Sequence, residues 1–201
     1  MKPFDKGTWF YRFTIILTKL YFSLFFRVEK RGKPPCPKGG GIIVSNHISL
    51  LDPPLIATSF PEAIHFFAKR SLFTPFFGGI LRKLNAHPVD RGQQNRSLLK
   101  KAHSIIEGGK KVLIFPEGTR SKDGNLGTLK GGAAYLMVKT KAPTIPVWLS
   151  SERKNLSITY GLPIVFSEFA HMNQQEQLDA ITKKLNDALI RLQAINSKKS
   201  I

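Results

Sequence analysis

Apolar and polar positions follow two rhythms along this chain. Short apolar runs bounded by Gly, Pro or polar residues recur at Gly41–Ser45, Ile64–Ala68, Ala86–Val89, Lys111–Phe115 and Thr144–Leu149. Runs of that length and composition read as buried strands. Between them lie stretches of helical character: Pro53–Ser59 with proline at its start, Ser71–Leu84 rich in Phe and Leu, Asn95–Glu107 ended by Gly108-Gly109, and Leu129–Lys139. The last helix, about Gln174 to Ile195, puts Leu178, Ile181, Leu185, Leu189, Leu192 and Ile195 on one face at spacings of three and four. Ser157–Tyr160 and Ile164–Phe166 read as edge strands. Strands alternating with helices predict an α/β fold whose central, mainly parallel sheet is flanked by helices.

The head of the chain differs in texture. Residues 9–26 are crowded with aromatics (Trp9, Phe10, Tyr11, Phe13, Tyr21, Phe22, Phe25 and Phe26), interrupted by Arg12 and Lys19. A spanning helix needs about 20 predominantly apolar residues, and a central charge is costly in one. No small-residue cleavage site follows, which argues against a secretory signal. The basic flanks Lys2, Lys6, Arg27, Lys30, Arg31 and Lys33 suit anionic head groups. The pattern predicts a helix lying in one leaflet. The plain alternative is a helix that packs its aromatic face on the protein's own core. Gly32 to Gly41, with Pro34, Pro35 and Pro37, is rich in breakers. The expected division is therefore a membrane-associating segment, residues 1–33, and an α/β domain, residues 34–201.

Composition narrows the partners. A length of 201 residues with 42% hydrophobic side chains suits one domain with a small appendage. A single cysteine, Cys36, excludes a disulfide framework or a cysteine-rich metal site. The net charge of +18 requires something anionic nearby. Residues 69–130 are the most basic region, with thirteen Lys or Arg against four Asp or Glu. Nucleic acid is disfavoured, because zinc-finger spacing, a ribonucleoprotein-type aromatic motif and a helix-turn-helix signal are all missing.

Two constellations carry chemistry. The run ending at Ser45 leads into Asn46-His47-Ile48-Ser49-Leu50-Leu51-Asp52. His47 is suited to proton transfer, and Asp52, if the loop turns into a helix there, can return to the imidazole and fix its tautomer. Asp52 before Pro53 is equally a helix N-cap. Gly-x-Ser-x-Gly is absent, so a His-Asp pair without a nucleophile points to a substrate hydroxyl as attacking group. The second constellation is Pro116-Glu117-Gly118-Thr119-Arg120-Ser121, again after a strand. Gly118 permits a tight turn, Arg120 suits bidentate phosphate or carboxylate recognition, and Glu117 can accept from a substrate hydroxyl. The alternative is a solvated loop with Arg120 paired to Glu117. Neither phosphate-binding glycine motif, of the mononucleotide or dinucleotide type, is present.

Asn46-His47-x-Ser49-x-x-Asp52 followed by Phe115-Pro116-Glu117-Gly118-Thr119-Arg120-Ser121 resembles the glycerolipid acyltransferase family, the group containing the 1-acylglycerol-3-phosphate acyltransferases. Ala86-His87-Pro88-Val89-Asp90-Arg91, Ala142-Pro143-Thr144-Ile145-Pro146-Val147 and the pair Ala68-Lys69 resemble its remaining blocks, although Thr144 stands where an apolar residue is expected. The resemblance covers roughly residues 40–150. It implies that His47 is the general base on the sn-2 hydroxyl of a lysophosphatidic acid and that Asp52 orients it. The hydroxyl would attack the thioester of acyl-CoA or acyl carrier protein directly, giving phosphatidic acid. Arg120, with Lys69 and Arg91, would hold the acceptor phosphate, while Glu117, Gly118 and Thr119 shape the acceptor pocket. No metal or redox cofactor is implied. The aromatic head would hold the site against anionic lipids on the cytoplasmic face of the inner membrane. The rival readings are the same chemistry on glycerol 3-phosphate or another lysolipid, and a non-catalytic basic membrane-binding protein. The last needs no His47/Asp52 pair.

Overall fold

A computed structural model describes residues 7–90, 96–121 and 123–197. Seven strands make one sheet: β1 (Arg27–Arg31), β2 (Gly41–Ser45), β3 (Ile64–Lys69), β4 (Ala86–Val89), β5 (Lys111–Ile114), β6 (Thr144–Glu152) and β7 (Asn155–Tyr160), in the order β1-β7-β6-β2-β5-β3-β4. All neighbours are parallel except β6 and β7, which form a hairpin. β2 is buried throughout its length, as an apolar run covered on both faces of a parallel sheet must be.

The helices are α1 (Trp9–Phe25), α2 (Asp52–Ser59), α3 (Phe77–Lys83), α4 (Arg96–Glu107), α5 (Gly132–Thr140) and α6 (Gln174–Ser197). On one face α4, α5 and α6 bring Ala102, Leu136, Ile181 and Leu185 onto Ile42, Val44 and Val112. On the other, Phe22 of α1 and Leu55 and Ile56 of α2 pack with Ile43, Leu113 and Ile145. Right-handed crossovers put α3 on this second face, and Lys83 Nζ lies 5.4 Å from the Phe10 ring of α1. The aromatic head packs part of its surface on the protein's own core, the plain alternative weighed from its sequence. Tyr11 and Phe22 are buried in the protein, while the outer side of α1 is not. Among the described residues no helix is long and apolar enough to cross a membrane.

Four local readings change. Ser157–Tyr160 lies inside the sheet, because Arg27–Arg31 adds a further parallel strand beyond it. That strand's charged sequence hides it from any hydrophobic pattern, and charge is how exposed sheet edges are kept from pairing further. Ser71–Leu84 is not one helix: a 3-10 turn at Arg70–Leu72 is followed by α3, and Thr74 before Pro75 is steered away from helical geometry. Ile164 makes an isolated bridge to Thr144 and a 3-10 turn follows at Phe166–Phe169. In α6, Ile195 is 50% exposed and Asn196 is buried instead. Asn196 Oδ1 accepts from Ser157 Oγ at 2.8 Å and Arg31 Nη1 at 2.9 Å, so the last turn of the helix closes over a polar strip of the sheet.

The segment from Gly32 to Gly41 is tied down by a fully buried lysine. Lys111 Nζ donates to Pro37 O at 2.6 Å and to Gly39 O, with Glu62 Oε2 3.5 Å away. The charge is balanced and hydrogen-bonded, which is the condition for tolerating it inside. Because β2 to β6 run in one direction, their C-terminal ends share one edge of the sheet. That edge gathers residues 46–52, Lys69, Asp90 and residues 115–121, the place where open α/β sheets present chemistry.

Candidate active site

Asn46 fixes the exit of the chain from β2. Its side chain is buried, donates to Leu149 O at 2.9 Å and accepts from Leu149 N at 2.8 Å, so the loop start is clamped to β6. The turn from His47 then closes on one oxygen. Asp52 Oδ2 accepts the amides of Ile48 at 2.7 Å and Ser49 at 2.8 Å and lies 2.7 Å from His47 Nδ1. Asp52 stands at the start of α2 without capping it, since Leu51 is the cap residue. Its carboxylate reaches back over the turn instead. A carboxylate only accepts, so Nδ1 carries the proton and Nε2 keeps its lone pair. The Asp52 side chain is 3% exposed and that of His47 15%. The imidazole stacks on Phe115, with ring centroids 4.0 Å apart and planes 17° apart.

The second loop is built around the first. Gly118 donates its amide to Phe115 O at 3.1 Å and sits at φ 74°, a backbone state that favours glycine. Glu117 is buried, with Oε1 accepting the His47 amide at 3.1 Å and Oε2 the Gly127 amide at 3.0 Å. Ser121 N donates to His47 O at 2.7 Å. The main chain of His47 is thus held at both its N–H and its C=O by the loop some 70 residues on. Glu117 does not pair with Arg120. Gly118, Thr119 and Arg120 are exposed at the edge. Beyond them Asn125 and Ser121 hydrogen-bond the Asp123 carboxylate and hold it down to about 2.

The structure adds a cation that the sequence reading did not single out. Lys130 N donates to Pro116 O at 2.9 Å, and Lys130 Nζ lies over Gly118, where a Cβ would stand 2.7 Å from it. Nothing local marks Lys130 among 31 Lys and Arg. Only closure of the loop onto Pro116 brings it to the site. Lys69 ends β3, exposed at the same edge and two strands from β2, about 10 Å across at ordinary strand spacing. Its neighbour Arg70 pairs with Asp90 at 2.7 Å. Arg91 lies outside the described residues.

This arrangement supplies a histidine oriented for proton acceptance beside a cationic rim. Among the described residues no Ser, Thr or Cys side chain hydrogen-bonds the His47 ring. Residues 27–150, from the first residue of β1 into β6, match the model of the Acyltransferase family. The chain belongs to the acyltransferase family. It is 29% identical over 194 residues to a 1-acyl-sn-glycerol-3-phosphate acyltransferase of Bacillus subtilis, covering 91% of this chain and 96% of that protein. To the Pseudomonas aeruginosa enzyme of the same name it is 32% identical over 139 residues, covering 68% of this chain and 53% of that one. It spans about half the length of that larger relative. The crystal structure of the 1-acyl-sn-glycerophosphate acyltransferase of Thermotoga maritima superposes with a TM-score of 0.64 at 26% identity, covering 87% of this chain and 77% of that one. Both loops of this acyltransferase fall within the family match, whereas α1 precedes it.

Proposed function

We propose that this acyltransferase moves an acyl chain from a thioester to the sn-2 hydroxyl of 1-acylglycerol 3-phosphate, giving phosphatidic acid. The observation that carries the reading is the 2.7 Å contact between His47 Nδ1 and Asp52, which leaves Nε2 as the acceptor of the neutral ring. Nε2 takes the hydroxyl proton as the hydroxyl oxygen bonds to the thioester carbonyl carbon. Asp52 stabilises the imidazolium that forms. The C–S bond then breaks and the thiolate leaves with the proton from His47. Among the described residues no Ser, Thr or Cys side chain hydrogen-bonds the His47 ring, which supports direct transfer without an acyl-enzyme.

The cations divide by position. Arg120 and Lys130 stand at the second loop and suit the acceptor phosphate, with Lys69 at the same edge of the sheet and Arg91, outside the described residues, as a further candidate from the sequence. Glu117 works through the backbone, setting where His47 stands, while Gly118 and Thr119 give the loop its turn. The donor is acyl-CoA or acyl carrier protein, both anionic and both suited to the basic middle of the chain. The exposed apolar side of α1 lies in the head-group region of an anionic leaflet on the cytoplasmic face, where a lysolipid acceptor resides. A thioester-release assay tests the reading. Purified protein with acyl-CoA should release thiol with lysophosphatidic acid and not without an acceptor. Release with glycerol 3-phosphate and not with lysophosphatidic acid would reject the acceptor assignment, and failure of both acyl-CoA and acyl carrier protein to release thiol with any lysolipid of a panel would reject acyl transfer itself.

A further inference from the structure

The face of the sheet that carries α1 bears a second apolar surface that acyl transfer does not use. Beyond the turn that follows β3, Phe76 is 81% exposed, and Phe77, Ile80 and Leu72 are exposed with it. Large apolar groups so displayed by a single chain mark a contact surface. They stand on the same face as the outer side of α1, where Trp9, Ile16 and Leu24 are exposed, and the Lys83–Phe10 contact joins the two helices. The charge around them is mainly basic, with Arg70 paired to Asp90 just past β4. Residues 9–25 and 70–83 contain Arg12, Lys19, Arg70, Arg82 and Lys83 and no acidic residue. The opposite face differs: α6 there exposes Glu176 and Asp179. Leu50, in the turn between His47 and Asp52, is also exposed.

We propose that α3 is a second lipid-inserting element, with Phe76 and Phe77 entering the same anionic leaflet as the outer side of α1. The inference rests on the membrane reading of α1 and adds to it. One helix lying in the interface leaves a protein free to roll about the helix axis. A second apolar contact beside it removes that freedom and fixes the catalytic edge, with Leu50 on it, against the bilayer. The apolar side chains supply insertion, and Arg12, Lys19, Arg82 and Lys83 supply the preference for anionic head groups.

Fluorescence on the full chain tests this. A W9F/F76W variant, in which the remaining Trp148 is buried, is bound to vesicles of phosphatidylcholine and phosphatidylglycerol carrying brominated acyl chains. Tryptophan at position 76 should be quenched, and F76S/F77S should weaken vesicle binding roughly 100- to 10,000-fold, the effect of withdrawing two phenyl side chains from lipid. Quenching at Trp9 of the wild type without quenching at position 76 overturns the inference and leaves the α1 anchor standing. Quenching at neither overturns both. Turnover of a water-soluble short-chain lysophosphatidate, measured alongside, reports the acyltransferase reading separately. Dimerisation in vesicle-free solution that F76S abolishes would assign the surface to a second copy of the chain and overturn the lipid assignment.

Discussion

Glu117 holds the main chain of His47. One carboxylate oxygen accepts the His47 amide at 3.1 Å and the other accepts Gly127 at 3.0 Å, so a buried acid staples the turn bearing the imidazole to the loop bearing the cations. Removing the acceptors leaves the amide of half-buried His47 without its partner, at up to about 1–3 kcal/mol, while the amide of exposed Gly127 can turn to water. Glu117→Ala should therefore lower the melting temperature by several degrees and kcat by an order of magnitude or more. Glu117→Gln keeps one acceptor oxygen and should fall between. Thermal unfolding and steady-state kinetics on the same samples check this; an Ala variant with wild-type kcat would remove Glu117 from the positioning role.

His47→Ala should abolish acyl transfer with circular dichroism unchanged, since the ring stacks only at the edge, on Phe115. Asp52→Asn is the sharper test. The amide oxygen can still accept Ile48 and Ser49, but the side-chain NH2 would then face Nδ1 and favour the wrong tautomer. A loss in kcat on the order of 10³- to 10⁴-fold is expected, with acceptor KM little changed. Turnover retained by either variant would defeat the assigned proton transfer.

What could be read from the sequence follows from how local each signal is. The bounds of β2 and β4 were legible because apolar runs between breakers need no partner to be recognised. The His47–Asp52 pair was legible because five residues of spacing plus Pro53 imply one turn and a helix. β1 was not, because Arg27–Arg31 becomes a strand only by pairing with β7, whose residues lie more than a hundred positions away. Glu117 is offered by the sequence as an acceptor for a substrate hydroxyl, and its bond to the His47 amide is not revealed there. Its inward turn depends on meeting His47 N across the sheet edge, a contact without local signature. Lys130 was hidden for the same reason.

Arg120 and Lys130 should be separable from the chemistry by the acceptor used. On the proposed reading each would make a charge-assisted contact to the phosphate, worth about 1.5–3 kcal/mol. Arg120→Ala and Lys130→Ala should each lower kcat/KM for lysophosphatidate about 10- to 100-fold, mainly through KM, and leave transfer to a monoacylglycerol unaffected. Equal losses on the two acceptors would show that the cations do not serve the phosphate. Gly118→Ala should weaken the same acceptor, because its φ of 74° and the Lys130 ammonium both oppose a side chain there.

Stability should fall with acidification through a histidine outside the His47–Asp52 pair. His87 Nε2 lies 3.0 Å from His65 Nδ1 and the two rings are stacked, so one imidazole must donate and the other accept. Burial first, then Lys101 and Lys110, holds the His87 pKa below its ordinary value. The unfolded chain therefore takes up this proton at a higher pH than the folded one. Stability is fully present above the ordinary histidine pKa of about 6.5 and is lost as the pH falls through it toward the lower folded value. The β3–β4 pairing at the sheet's edge would loosen as His87 charges, since Phe67 and His87 are partners in its register. Urea unfolding midpoints at pH 7.5 and 5.5 should separate clearly for the wild type and converge for His87→Gln, which cannot titrate. An equal acid loss in both would place the titrating group elsewhere.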